Sequence, residues 1–187
     1  VKVATAADLE LLDLDPRYLG WRLTTTYNLP ETARVTGVEF NFRHSLRALG
    51  GWGRYFQAFV NGTKLDLDGS KDADFGDFVP ESANWGVNYS RKPFAVMAKW
   101  NYRGTQRRDR IAALGTDAFE YVKGRITLDV NIDFQLRTNL FLYFNGQNIL
   151  NVPEILQRYG TQTPAYARRY QEMTHGVQLT LGVKGTF

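Results

Sequence analysis

The dominant signal along the chain is alternation of apolar and polar residues with a period of two. From Ile126 to Leu136 every even position is apolar (Ile126, Leu128, Val130, Ile132, Phe134, Leu136) and every odd one polar. Successive side chains of a strand point to opposite faces, so this segment has one greasy face and one wet face. Phe94, Val96, Ala98, Trp100 and Tyr102 repeat the pattern, as do Val177, Leu179, Leu181 and Val183 before Phe187. Weaker copies run over 19–27, 38–42, 56–60, 85–89 and 140–144, with Tyr55 and Phe59 spoiling the third of these. The pattern predicts about eight strands, most of them about 9–13 residues long. Strands in soluble proteins are typically about five or six residues, whereas a tilted strand crossing a bilayer needs about 9–11.

The connections alternate in length, apart from a short Pro30-containing turn before the second strand and a medium segment over 44–53. Ser90-Arg91-Lys92-Pro93 and Arg137-Thr138 are predicted tight turns, while 66–80, 105–119 and 149–174 are predicted long polar loops. Long loops on one side and tight turns on the other are the habit of outer-membrane barrels. Residues 6–14 are predicted to form a short acidic helix before the first strand.

A soluble sandwich would use the greasy face as its core. Two features favour a lipid-facing exterior with a wet interior. Aromatics gather toward strand ends (Trp21, Tyr27, Trp52, Tyr55, Trp85, Tyr89, Trp100, Tyr102), and charged strand residues such as Arg22, Glu39, Arg43, Lys99, Asp129, Asp133 and Lys184 fall on one face. The expected fold is therefore all-β, an antiparallel up-and-down transmembrane β-barrel.

Composition agrees with that division. The 187 residues are 43% hydrophobic and 14% aromatic, and the negative mean hydropathy averages a greasy face with a wet one. There is no cysteine, which excludes disulfides and thiolate chemistry. No apolar run reaches the roughly 18 residues of a membrane helix. No signal peptide is evident, and the start on Val1 fits a mature chain or a piece of a longer one. The charge of +4 is modest, and no basic groove with stacking aromatics points to nucleic acid.

Several segments, in order, resemble the last third of the barrel of TonB-dependent outer-membrane receptors. Asn28 to Phe42 (NLPETARVTGVEFNF) is similar to that family's "N…GvE" hairpin, and Phe78-Val79-Pro80-Glu81-Ser82-Ala83-Asn84 to its proline-led approach to the next strand. Asn145-Gly146-Gln147-Asn148-Ile149-Leu150-Asn151 resembles its "eNLFN" segment. A final strand ending in Phe187 resembles the signal read by the barrel assembly machinery, with Gly185 departing from the bulky residue usual there. The resemblance spans 18–187, with 1–17 as a lead-in, and implies about eight strands at the C-terminal end of a 22-stranded barrel. Nothing in the sequence resembles the plug domain or the segment that engages TonB.

The resemblance implies a bacterial outer-membrane receptor that imports a scarce nutrient: a ferric siderophore, a cobalamin or an oligosaccharide. Its partners would be outer-membrane lipid and lipopolysaccharide, the assembly machinery, TonB through a plug domain, and the small-molecule ligand. No cofactor and no enzyme activity are expected. A complete eight-stranded barrel with an adhesion or anchoring role is the alternative.

Three loop clusters carry the candidate chemistry. Asp66, Asp68, Asp72, Asp74 and Asp77 are oxygen ligands of the calcium type, without EF-hand spacing, or simply a solvated acidic loop. Arg107, Arg108 and Arg110, with Arg103, suit an anionic chelate or a lipopolysaccharide phosphate. Arg158, Tyr159, Tyr166, Arg168, Arg169 and Tyr170 combine guanidinium and aromatic groups suited to planar or sugar ligands. The two histidines, His44 and His175, are expected to be structural or solvated rather than a catalytic pair.

Overall fold

The computed structural model describes residues 2–23, 32–69, 78–115 and 117–185. These divide into two compact units, one of residues 2–23 with 32 and 69 and one of residues 33–68 with 78–115 and 117–185.

In the N-terminal unit, β1 (Lys2–Val3) pairs antiparallel with β2 (Arg22–Leu23), and α1 (Ala6–Leu11) lies between them in sequence. Thr5 caps the helix through a capping box with Asp8, satisfying free N–H groups at its start. The predicted helix over 6–14 is therefore real but stops at Leu11, with Asp13 already left-handed at φ 51°. Leu9 is buried. The strand predicted over 19–27 differs from expectation in its described part. Gly20 turns the chain at φ 82°, and only Arg22–Leu23 is strand, joined to the N-terminus rather than to the large sheet. Residues 24–31 lie outside the described residues.

The second unit carries β3 (Arg34–Ser45), β4 (Phe56–Asp68), β5 (Glu81–Arg91), β6 (Phe94–Arg103), β7 (Gln106–Arg110), β8 (Phe119–Val122), β9 (Arg125–Arg137), β10 (Leu140–Gln147), β11 (Glu154–Tyr159), β12 (Arg169–Met173) and β13 (Gln178–Gly185). Seven strands form one antiparallel sheet in the order β13-β10-β9-β6-β5-β4-β3. Each strand lies beside its neighbour along the wall, as in an up-and-down barrel, but the sheet does not close: β3 and β13 are its edges. What stands is an all-β, antiparallel chain with an open seven-stranded wall.

The antiparallel order places the connections after β4, β6 and β10 on one rim and 46–55, Lys92-Pro93 and Thr138-Asn139 on the other. Two of the predicted long loops are not irregular. β7 and β8 continue the β6–β9 pair, and β11 and β12 continue the β10–β13 pair. Together they form a four-stranded sheet in the order β12-β11-β8-β7 that repeats the order of the wall beneath. The first predicted loop is also shorter than expected, because β4 runs through Asp68, with Asp66 opposite Thr36 and Asp68 opposite Arg34.

Cross-strand register gathers the polar residues into rows. Ser45, Gln57, Asn88, Met97, Asn131, Asn145 and Thr180 lie side by side across all seven strands, and Asn41, Asn61, Asn84, Asn101 and Thr127 across five. Asn84 donates to Asn61 at 3.2 Å and Asn101 to Asp129 at 2.8 Å. Lys184 is ion-paired with Asp133 at 2.7 Å.

The opposite face is apolar and uncovered. Val38 is 70% exposed and Leu181 69%, and the buried apolar side chains among the described residues are Ala4, Leu9, Ala118, Val122 and Leu156, none of them in the wall. Two aromatics on the polar face fill gaps left by glycine. A Cβ on Gly86 would meet the Phe59 ring at 2.8 Å, and one on Gly182 would meet the Tyr143 hydroxyl at 2.5 Å. Each ring covers backbone that any side chain would displace.

Candidate functional site

The four-stranded extension brings together residues from two connections that are far apart in sequence. β8 pairs with β11, placing Glu120 opposite Arg158 and Tyr121 opposite Gln157. Glu120 accepts from Arg158 at 2.9 Å and from Arg108 at 3.2 Å, so one carboxylate joins the two basic clusters. Beside this triad, Asp109, Arg110, Ile111, Ala112, Ala113, Glu120 and Arg158 line a cleft of about 450 Å³.

An aromatic row runs on the other face. Tyr121 stacks on Tyr159 with centroids 4.1 Å apart and planes 15° from parallel. The guanidinium of Arg168 lies 4.8 Å from the Tyr159 ring, and those of Arg107 and Arg110 lie 4.8 and 5.4 Å from Phe119. Arg158 also covers Tyr170 at 3.4 Å. Burial raises the Tyr121 phenol above its ordinary pKa; the neighbouring Tyr159 adds to this and Arg107 opposes it.

The candidate residues of the two arginine-rich clusters thus have contacts within the extension. Arg103 bonds Gln106, Arg168 donates to the Thr163 carbonyl at 3.3 Å, and Arg169 pairs with Glu172. Tyr166 stands apart, 89% exposed on a short 3-10 turn. The loop tips are tied by Asp117, which accepts from the Thr161 N–H at 2.7 Å and its hydroxyl at 2.5 Å. Glu120, Tyr121 and Asp117 are residues that sequence reasoning missed. Phe119-Glu120-Tyr121-Val122 does alternate, but over only four positions.

The junction between wall and extension is the Asn145–Asn151 segment. Asn148 is left-handed at φ 51°, a conformation that asparagine tolerates. Its amide clasps the Val152 backbone, accepting at 3.0 Å and donating at 3.1 Å, and its own N–H donates to Asp129 at 3.0 Å. Asp129 in turn faces Lys99 at 4.0 Å.

Among the described residues no group of His, Asp and Glu is arranged to hold a metal. Asp66 and Asp68 end a strand, while Asp72, Asp74 and Asp77 lie outside the described residues, as does Phe187. His44 stacks on Phe42 at the tight-turn end of β3, while His175 follows β12 at the long-connection end, so the two histidines lie toward opposite rims.

The outward face of the wall is bounded by charge at both rims. Along β5 that face runs Glu81, Ala83, Trp85, Val87, Tyr89, Arg91. At one end Glu81 pairs with Lys64 at 3.5 Å and accepts from the Tyr102 hydroxyl at 3.4 Å. At the other end Arg91 lies over the Tyr55 ring at 5.1 Å. Glu81 and Arg91 are about 34 Å apart along the strand at about 3.4 Å per residue. A strand of that length tilted by about 40°, as strands of outer-membrane barrels are, would match the height of about 25 Å of their apolar band. Comparison with protein-family models, with curated proteins and with solved structures gives no match.

Proposed function

We propose that this chain is barrel wall from the C-terminal part of a TonB-dependent outer-membrane receptor that imports a scarce nutrient. The observation that carries the membrane part is the uncovered apolar face, free of charge between the Lys64–Glu81 pair and Arg91. A soluble sandwich would lay a second sheet on that face; here its side chains are exposed on the edge strands and at strand ends and half-buried between them, with none fully buried. The meander order, the long connections gathered on one rim and the Asn145–Asn151 junction support the receptor assignment.

In this account the extension stands above the outer surface and offers its cleft and its aromatic–guanidinium row to ligand. The open edges at β3 and β13 are completed by further strands, since lipid tolerates no unpaired edge. Import is driven through a plug and TonB, neither of which resembles any part of this sequence. The test is genetic. Deleting the whole reading frame should abolish uptake of one of ferric siderophore, cobalamin or oligosaccharide at limiting concentration, and the intact frame should restore it. A frame that encodes no further hairpins before Val1, or a deletion that leaves all three uptakes unchanged, would overturn the receptor assignment.

A further inference from the structure

We propose that the tight-turn rim of the wall is a binding site for anionic glycerophospholipid headgroups. This rests on the membrane reading above and concerns the rim opposite the ligand-capturing extension.

The rim collects Arg47, Arg54, Arg91, Lys92 and Arg137, and the stretches 44–57, 89–97 and 136–141 contain no Asp or Glu. None of these five cations has a carboxylate partner among the described residues. Like charges are even brought together: Arg54 and Arg91 both lie over the Tyr55 ring, at 5.0 and 5.1 Å. The rings supply the attraction, and the positive charge is left for an outside anion.

The anion's source follows from where these cations sit. Arg91 is the last residue of β5 on the apolar face, immediately beyond Tyr89. Beneath the two guanidiniums lies an aromatic collar in which Tyr55 contacts Tyr89 at 6.4 Å, Phe56 contacts Tyr89 at 4.9 Å, and Trp52 packs edge-on against Phe56 at 5.4 Å. Trp52 is 72% exposed. Amphipathic rings below and snorkelling arginines above match the acyl–headgroup boundary. An acidic protein partner would need the cations but not a collar continuous with the greasy band. A bilayer uses both.

The test uses two versions of the complete barrel that contains this chain, in lipid vesicles, one with Trp52 and one with Trp85 as its sole tryptophan, all others being replaced by Phe. Quenching by brominated phosphatidylglycerol is compared with quenching by brominated phosphatidylcholine. A near-surface cation strengthens binding of anionic lipid about fivefold, so Trp52 should report a preference for phosphatidylglycerol of about that size or more. The variant R54Q/R91Q/K92Q should bring the ratio to about one, with Trp85 quenching unchanged as proof of insertion. Equal quenching of Trp52 by the two lipids, with Trp85 quenched, would overturn the headgroup site and leave the membrane reading standing. No quenching of Trp85 in either lipid would overturn the membrane reading and this site with it.

Discussion

The two rims of the seven-stranded wall handle charge in opposite ways. On the long-connection side five of the described cations are matched, Lys64 with Glu81, Arg125 with Glu154, Arg108 and Arg158 with Glu120, Arg169 with Glu172, while Arg107 and Arg168 rest on the rings of Phe119 and Tyr159. On the tight-turn side Lys184 pairs with Asp133 on the polar face, but Arg54, Arg91 and Lys92 have no acid partner among the described residues. Internal pairing lets the extension fold as a sheet of its own above the wall. Unmatched cations do the reverse and leave charge for a partner outside the chain. Between the rims, the outward face carries neither kind of charge.

The sharpest way to break this contrast is to put charge where there is none. Ala98 lies opposite Val87 near the middle of the outward face. Ala98→Arg should cost about 2–4 kcal/mol of folding into bilayers, the cost of a lipid-facing cation at the midplane. Met97→Arg, one residue away on the polar face beside Asn88 and Asn131, should cost far less. Urea titration in vesicles measures both, and equal costs would mean that the two faces do not differ.

Next in size is the carboxylate that organises the extension. Glu120→Gln leaves Arg108 and Arg158 without their shared partner. We expect it to destabilise β7, β8, β11 and β12 by about 1–2 kcal/mol, discounted because both arginines are partly exposed. Amide exchange should quicken there while β9 and β10 keep their protection. Uniform quickening through the wall would deny that the extension is a separate layer. Asn148→Ala removes three side-chain bonds, two to Val152 and one to the Gly176 carbonyl, and keeps a Cβ residue at φ 51°, with an expected cost of about 1–2 kcal/mol. Asn148→Gly should recover part of it by relieving the backbone, and limited proteolysis at the junction would rank the three proteins.

These elements also mark what could be read beforehand. β6 and β9 were legible nearly to their ends because the apolar face is continuous from Phe94 to Tyr102 and from Ile126 to Leu136. Phe59 and Tyr143 break the alternation because each covers a glycine on the neighbouring strand, Gly86 and Gly182, a relation that appears only once register is known. β7, β8, β11 and β12 were hidden for another reason. They have four to six residues each, and they are held by pairs such as Glu120 with Arg158 that join segments 38 residues apart. The arginine clusters were legible as clusters; that one carboxylate couples them was not. Closure of the wall belongs to strand pairing beyond β3 and β13, on which alternation within a strand is silent.

The smallest expected effect is a pH dependence in the extension. Tyr121 has its pKa raised above 10 mainly by burial, so the folded extension holds that proton after the unfolded chain has lost it. In that window the unfolded state binds fewer protons and stability falls as pH rises. The contribution is complete below about pH 10 and declines above it. Tyr121→Phe should flatten this slope in the exchange rates of β8 and β11, and an unchanged slope would assign it to another group.

The central claim is that the outward face of the wall meets lipid. Its most direct test is depth-dependent quenching of Trp85 and Trp100 in the complete barrel, with every other tryptophan replaced by Phe; the two face each other across β5 and β6 and lie inside those strands, not at the ends the sequence pattern suggested. Lipids brominated deep in the acyl chain should quench these two more strongly than lipids brominated near the headgroup. Equal insensitivity to both, from a chain that remains monomeric in water without detergent, would contradict the account.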